Sequence, residues 1–300
     1  MKVSLLFVLY SPDNVILQKI LKAIENQDKK IEIELIFINK LISKTTENIL
    51  KEFENKHESK NTNIEVKWIK VPSGMGYARS MNLAIRKAKS PIIVSLHQDC
   101  LPSSNSWLKQ LIEPLKDKDT VTTVSKVHLT FDFWKDFDPI AKILSAKEQK
   151  IITPAMDIKG CAYKKSVLMK VGLLDEKHYR TAGEDVDLYL KLKESGKIAY
   201  PNIKVIHYHK HTWKNRFKKE LQLSNSQGAL CRLHPKDIKQ KYIGFLKAIP
   251  LLGFLLFLYY IDIKKLGIFL SLLAIPVYFF VNLTYSYGFW KGFLRGKQTV

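Results

Sequence analysis

The sequence predicts an α/β fold: a mostly parallel sheet flanked by helices, followed by membrane-associated helices toward the C-terminal end. Three observations predict it. Apolar runs of strand length alternate with helically spaced apolar residues as far as Val121. The strand runs are continuous rather than alternating, as in strands covered on both faces. From Tyr242 onward the chain turns almost wholly apolar.

The elements follow in order. Val3 to Tyr10 is the first strand, and Ser11-Pro12 reads as a helix cap with a first-turn proline. Val15, Ile16, Ile20, Leu21 and Ile24 mark the helix that follows. Ile31 to Asn39 is a second strand, and a Lys/Glu-rich helix runs to about His57. Ile64 to Val71 is a third strand. After Gly74-Met75-Gly76, the residues Ala78, Met81, Ala84, Ile85 and Ala88 mark a helix. Pro91 to Leu96 is a fourth strand, stopping at His97-Gln98-Asp99, with a helix through Trp107, Leu108, Leu111, Ile112 and Leu115 beyond it. This order implies βαβ units. Ligands bind such sheets at the carboxyl ends of the strands, which puts Tyr10-Ser11, Asn39, the Gly74 loop and Asp99 on one crevice. Beyond Val121 the alternation loosens, and a mixed region is expected.

The chain has 300 residues and a formal net charge of +21. Such a charge favours an anionic membrane surface or phosphate-bearing substrates. No zinc-finger spacing or RNA-binding signature accompanies the scattered lysines, so no nucleic-acid partner is expected. Cys100, Cys161 and Cys231 are odd in number and far apart, which argues for reduced thiols rather than a disulfide framework or a zinc site. The apolar run after Met1-Lys2 is too short for a signal peptide and reads as a buried strand.

Ala248 to Ile261 and Leu266 to Tyr285 are apolar, with Asp262, Lys264 and Lys265 between them. The second run is long enough to span a bilayer and the first is marginal. Two arrangements stay open: a hairpin, or one interfacial helix with one spanning helix. Lys291, Arg295 and Lys297 and the basic body of the chain put both on the cytoplasmic side, whereas Lys264 and Lys265 fit that orientation poorly. The expected plan is a catalytic domain over 1–210, a basic amphipathic connector over 211–240, membrane helices over 241–290 and a basic cytoplasmic tail over 291–300.

Several features carry chemistry. Asp99 ends a buried strand, where a carboxylate needs a cation or donors to face; alone it reads equally as a cap before the next helix. Gly183-Glu184-Asp185-Val186-Asp187-Leu188 opens a helix with Val186, Leu190 and Leu192 on its apolar face. Acids there complement the macrodipole, or one of them accepts a proton. His207-Tyr208-His209 follows a strand from Lys197 to Ile206. If the strand continues, both imidazoles share a face, a pattern that binds a divalent metal beside a carboxylate or is simply polar surface. The stretch Lys210 to Lys219 is basic and suits a membrane surface, substrate phosphate or plain solvent.

Taken together, Val8-Leu9-Tyr10-Ser11, Gly74-Met75-Gly76-Tyr77-Ala78-Arg79-Ser80-Met81-Asn82, Leu96-His97-Gln98-Asp99-Cys100-Leu101-Pro102, Gly172-Leu173-Leu174-Asp175-Glu176, Gly183 to Leu188 and Val205-Ile206-His207 resemble the family 2 glycosyltransferases of the Rossmann-like GT-A fold, particularly rhamnosyltransferase-like members. The resemblance covers about Lys2 to Leu230. It implies an inverting transfer of a single sugar from a nucleotide sugar, with Mn2+ or Mg2+ as cofactor. Asp99 then matches the second acid of the Asp-x-Asp element that holds the metal, helped by His207, with His97 and His209 as alternates. Asp185 matches the general base. Tyr10, Ser11, Asn39, Gly76, Arg79 and Gln98 fall on the donor side with Asp99, and Glu184, Asp187 and Gly160 on the acceptor side. Two positions depart from the pattern: His97 replaces the first acid, and Asn39 replaces an Asp beside the nucleobase. The Gln-x-x-Arg-Trp element of processive synthases is absent after Asp187. The membrane segment points to a polyprenyl-linked glycan acceptor and membrane lipid as partners. The alternatives are a membrane-bound nucleotidyl- or phosphosugar-transferase, and a non-catalytic nucleotide-sugar-binding or scaffold protein.

Overall fold

A computed structural model describes residues 1–146, 157–209, 211–236, 241–259 and 261–299. Lys210, residues 237–240 of the expected connector and Tyr260 of the first apolar run lie outside the described residues. The strands are β1 (Lys2–Tyr10), β2 (Glu32–Leu41), β3 (Ile64–Lys70), β4 (Ile92–Leu96), β5 (Cys100–Pro102), β6 (Thr120–Val124), β7 (Lys126–His128), β8 (Gly160–Lys164), β9 (Lys197–Ala199) and β10 (Lys204–His207). A seven-stranded sheet has the order β3-β2-β1-β4-β8-β6-β9, and a three-stranded sheet the order β5-β10-β7. In the large sheet every pairing is parallel except those of β8 with β4 and β6. The predicted mostly parallel α/β architecture is therefore observed.

The described residues fall into two compact units, the first drawn from Met1–His128, Ile151–Leu174 and Leu188–Tyr208. Its apolar strand runs resolve into two cores, one on each face of the sheet. Val3, Leu5, Phe7 and Leu9 join Ile33, Leu35 and Phe37 on one side, packed with Leu17, Leu50 and Trp107. Leu6, Ile36 and Ile38 face the other side with Met81, Ile85, Leu168, Leu188 and Leu192. Each run looked continuous because both of its alternating faces are covered. All five marker residues of the helix Tyr77–Lys87 and its exit are buried.

At the amino-terminal end of the sheet, polar residues are structural. Glu34 is fully buried; it accepts from Ser4 Oγ and Lys67 Nζ, and from the Lys89 amide at 2.8 Å. Ser90 Oγ closes this cluster on the Lys2 carbonyl. Burial alone would push the Glu34 carboxyl up, but these donors hold it below its ordinary value of 4.5.

Two elements differ from the reading of the sequence. The helix after β1 is Asn14–Glu25, capped by Asp13, whose Oδ1 accepts from the amides of Val15 and Ile16; Ser11 instead turns the chain with φ 46°. The single strand expected from Lys197 to Ile206 is two strands in two sheets, β9 and β10, broken around Pro201, which has no N–H to give a ladder.

The second unit is drawn from Leu129–Lys150, Asp175–Asp187 and His209–Val300. Helices Trp213–Leu233 and Ile263–Arg295 cross at very close range. A Cβ on Gly228 would meet the Phe289 carbonyl oxygen at 1.9 Å, and one on Gly292 would meet the Asn225 carbonyl oxygen at 1.8 Å. Only glycine admits such backbone contact. Elsewhere the long helix packs on Trp134, Phe137, Leu144 and Phe257. Its backbone leaves helical geometry at Gly267 (φ 73°, ψ 172°), and by length and composition the segment is long and apolar enough to cross a membrane. The first apolar run, Ala248 to Ile261, gives the seven-residue helix Leu252–Leu258, entered at Leu251 with φ 67°, and another seven-residue helix, Lys241–Lys247, precedes the run. Seven residues rise only about 10 Å, far below the roughly 30 Å of a bilayer core.

Because the Glu34 carboxyl titrates lower folded than unfolded, its contribution is complete above pH 4.5 and is lost as the pH falls through the folded value. Glu34→Gln is expected to lower unfolding free energy at pH 7 by about 1–3 kcal/mol. It should also flatten the acid limb of stability below about pH 5, measured by urea unfolding along that limb.

Candidate functional site

The parallel order puts the ends of β1, β2, β3 and β4 on one edge, and the candidate residues collect there. β4 ends at Leu96, opposite Gly160 at the start of β8. Gly160 is buried, and a Cβ on it would approach Val205 Cγ1 at 3.0 Å, so a larger residue would crowd β10. Past Leu96, the chain runs His97-Gln98-Asp99 into β5, which pairs antiparallel with β10 in the register His207 to Cys100. That register seats His207 beside Asp99: Nε2 lies 3.4 Å from Oδ2. The Tyr208 amide donates to the Asp99 carbonyl at 2.8 Å, and the chain goes on to His209. Asp99, His207 and His209 bring their ligand atoms within 4.8 Å of one another. One carboxylate with two imidazoles is a mixed oxygen and nitrogen set suited to a divalent transition cation.

His97 faces another way. Its Nε2 meets the Tyr77 hydroxyl at 2.9 Å, and burial pushes its pKa down to about 4, against the opposing pull of Asp99. The ring is therefore neutral at physiological pH. Tyr77 stands directly after Gly76, the cap of helix Tyr77–Lys87, and was not singled out from the sequence; its place beside the Gly74 loop was the available signal. Arg79 is exposed on the first turn of that helix.

Gln98 is occupied by the backbone of β1. Its Oε1 accepts from the Tyr10 amide at 2.7 Å, and its Nε2 donates to the Tyr10 carbonyl at 2.8 Å. Both ends of the amide thus lock Tyr10 to the Asp99 segment. The Tyr10 ring is half exposed, with Lys40 Nζ 5.6 Å from its centroid, leaving an aromatic face for stacking. Ser11 is tied back to the Leu41 carbonyl at 2.7 Å, and Asn39 sits one register step from the end of β2, level with Leu9 and Lys70.

In the second unit, a loop leads to the acidic helix Glu184–Ser195. Asp175 Oδ1 accepts the amides of Lys177 and His178, and Oδ2 meets His178 Nδ1 at 2.7 Å. Tyr179 is buried against Ala229, Leu230 and Val186. Gly183 has φ 92°, and a Cβ there would strike the Tyr179 ring at 2.8 Å, so this turn requires glycine. The turn delivers three acids with different surroundings. Glu184 and Asp187 are buried, Asp187 with Oδ1 3.0 Å from His234 Nε2, whereas Asp185 is partly exposed. Asp185 is thus the acid of this trio that solvent reaches. The His234 contact is one the sequence did not reveal.

The family model described as "Glycosyl transferase family 2" matches residues 14–172, just over half of the chain. The chain belongs to glycosyl transferase family 2. No curated protein matches the sequence. Among solved structures, this family 2 chain is similar to the mannosyltransferase PcManGT from Pyrobaculum calidifontis in complex with GDP-Man and Mn2+, at 15% identity and TM-score 0.66. That match covers 97% of this chain and 86% of the other. It is also similar to GalNAc-T7 with UDP, GalNAc and Mn2+ (15% identity, TM-score 0.54), over 79% of this chain and 51% of that one. A third is glucosyl-3-phosphoglycerate synthase from Mycobacterium tuberculosis in complex with phosphoglyceric acid. There identity is 14% and TM-score 0.53, over 77% of this chain and 80% of the other. These likenesses establish the GT-A fold, and the chain is a glycosyltransferase.

Asp99→Asn and His207→Ala are each expected to weaken Mn2+ binding by more than about tenfold, a loss already reached by disturbing outer-sphere partners of metal sites. Mn2+ titration followed by electron paramagnetic resonance checks this, with His97→Ala expected to change affinity less.

Proposed function

We propose that the chain transfers a single sugar, with inversion, from a nucleotide sugar to a hydroxyl of a lipid-linked glycan at a membrane face. The observation that carries this reading is the Asp99, His207 and His209 donor set at the carboxyl edge of the sheet in a family 2 chain. These residues would hold Mn2+ or Mg2+. A divalent cation so bound supplies electrostatic stabilisation to a departing nucleoside diphosphate. The Tyr10 ring would stack on the base, the Asn39 amide would hydrogen-bond its edge, and Ser11, Gly76 and Arg79 would border the ribose and phosphates. Asp185, the accessible acid, would take the proton of the acceptor hydroxyl as the sugar carbon gains oxocarbenium character. Glu184, Asp187 and Gly160 belong to the acceptor side. The donor sugar would be a hexose or a deoxyhexose, the class that the resemblance to rhamnosyltransferase-like members of family 2 implies.

The membrane part rests on the long helix. Ile268, Phe269, Leu272, Phe280, Tyr287 and Leu294 are all exposed along it, while its other flank packs on the charged helix Trp213–Leu233 and on Ile143 and Leu144. Lys214, Lys218 and Lys219, exposed on that partner helix, are costly to take into hydrocarbon. This favours a helix lying in the plane of the interface over one that spans, with Lys264, Lys291, Arg295 and Lys297 meeting anionic headgroups. Within the plan of a 1–210 catalytic domain, a 211–240 connector, membrane helices over 241–290 and a 291–300 tail, only the membrane geometry is then revised. The catalytic residues would work on the cytoplasmic side.

Full-length protein in detergent, offered a panel of nucleotide sugars and an acceptor, is expected to release nucleoside diphosphate from one donor only with Mn2+ or Mg2+. Asp185→Asn should slow transfer by roughly 10²–10⁴-fold; a variant as fast as wild type would remove Asp185 as base. Turnover by Asp99→Ala equal to wild type would remove the metal reading. Separately, the chain is expected to float with anionic vesicles, and Phe269→Asp with Leu272→Asp to leave it in the soluble fraction; unchanged flotation would sink the membrane reading.

A further inference from the structure

The segment that follows the long helix reaches back to the loop before Asp185. Gly296 caps the helix in the left-handed conformation, φ 61°, and its amide returns to the Gly292 carbonyl at 2.8 Å. That turn aims Lys297 to Thr299 away from the helix axis. Gln298 then makes four hydrogen bonds to three residues of the loop, His178, Arg180 and Thr181. Its own amide donates to the His178 carbonyl at 2.8 Å. Its Oε1 accepts from the Arg180 amide at 2.8 Å and the Thr181 amide at 2.9 Å. Its Nε2 donates to Thr181 Oγ1 at 3.2 Å. The next residue is held as well: the Thr299 amide donates to Asn225 Oδ1 at 2.7 Å, and buried Asn225 donates through Nδ2 to the Gly288 carbonyl at 3.1 Å.

We propose that Gln298 is a positioning residue for glycosyl transfer, setting the loop Asp175 to Gly183 and through it the Asp185 carboxylate. This rests on the reading of Asp185 as the base. The first half of the loop is fixed from within, by Asp175 on the Lys177 and His178 amides and on the His178 ring. Tyr179 anchors its middle by burial, and Ser226 Oγ donates to the Ala182 carbonyl at 2.8 Å. Between those anchors, the Arg180 and Thr181 amides converge on one side-chain oxygen, and glutamine supplies it together with a donor for Thr181. Without that oxygen the two amides turn to water and the Gly183 turn loses its upstream support. A base must hold its position to within a fraction of an ångström to meet the acceptor hydroxyl, so a small loop displacement acts on turnover rather than on donor binding. The network also joins the loop to the apolar helix through Asn225 and Gly288. A helix held at a membrane therefore steadies the base.

The test uses full-length Gln298→Ala and Gln298→Glu, the second keeping the acceptor oxygens while losing only the Thr181 donor. Gln298→Ala is expected to lower kcat by at least about tenfold with donor KM within about twofold, and Gln298→Glu to recover most of kcat. Hydrogen–deuterium exchange should rise at Arg180 and Thr181 in Gln298→Ala, with the Asp99 and His207 peptides unchanged. Wild-type kcat in Gln298→Ala overturns the proposal. So does unchanged exchange at the two amides, and so does a uniform rise in exchange through Trp213–Leu233 and Ile263–Arg295, which marks a general structural role. A wild-type chain that turns over no donor counts against glycosyl transfer itself, and exchange at Arg180 and Thr181 then decides whether residue 298 sets the loop.

Discussion

A sheet covered on both faces has only its two ends left for polar chemistry. That constraint organises the first unit. Side chains along β1 and β2 alternate between two dry cores, so a carboxylate or amide placed mid-strand would face hydrocarbon. At the amino-terminal end, polar groups are closed upon each other, as Glu34, Ser4, Lys67 and Ser90 are. At the carboxyl end the strands stop at different lengths and hand over to loops. Tyr10, Asn39 and Asp99 project there because the chain leaves the sheet, and the short β5–β10 pairing brings a histidine from more than a hundred residues away.

The second unit obeys a different constraint. Its helices meet through glycines, with backbone against backbone, and this closeness leaves one flank of the long helix without protein cover. Close approach on one side and apolar exposure on the other follow from the same distribution of residues: small at Gly288 and Gly292, large at Phe269, Leu272 and Phe280. The polar residues at the crossing, Ser224 and Asn225, serve the backbone and hold neighbouring segments rather than facing water.

Much of this was legible in the chain because the signals were local. Continuous apolar runs announced doubly covered strands, and Asp99 after such a run announced an edge residue. Where local rules competed, the reading slipped. Ser-Pro-Asp offers two caps; the serine was chosen, but Asp13 reaches two amides and Ser11 takes the turn. Pro201 was a visible breaker inside a run that otherwise read as one strand. His209 joins the metal cluster, although β10 ends at His207 and strand alternation is not what brings it there. Tyr77 against His97, His234 against Asp187 and Gln298 against the Arg180 amide depend on contacts between distant segments, and no spacing rule encodes them.

The separation between Asp99 and His207 has a consequence for how the protein comes into being. The two proposed ligands, Asp99 just before β5 and His207 at the end of β10, are neighbours in space but are made far apart in time, and β10 is the last of the ten described strands. Closing so long a loop is slow and must precede the contacts that reward it. During synthesis, therefore, a chain can have its first sheet assembled, with the nucleotide edge shaped, and still lack the second ligand. On the proposed metal site, the full donor set is assembled only after β10 has emerged and paired, so the order of translation would leave a half-made chain without it.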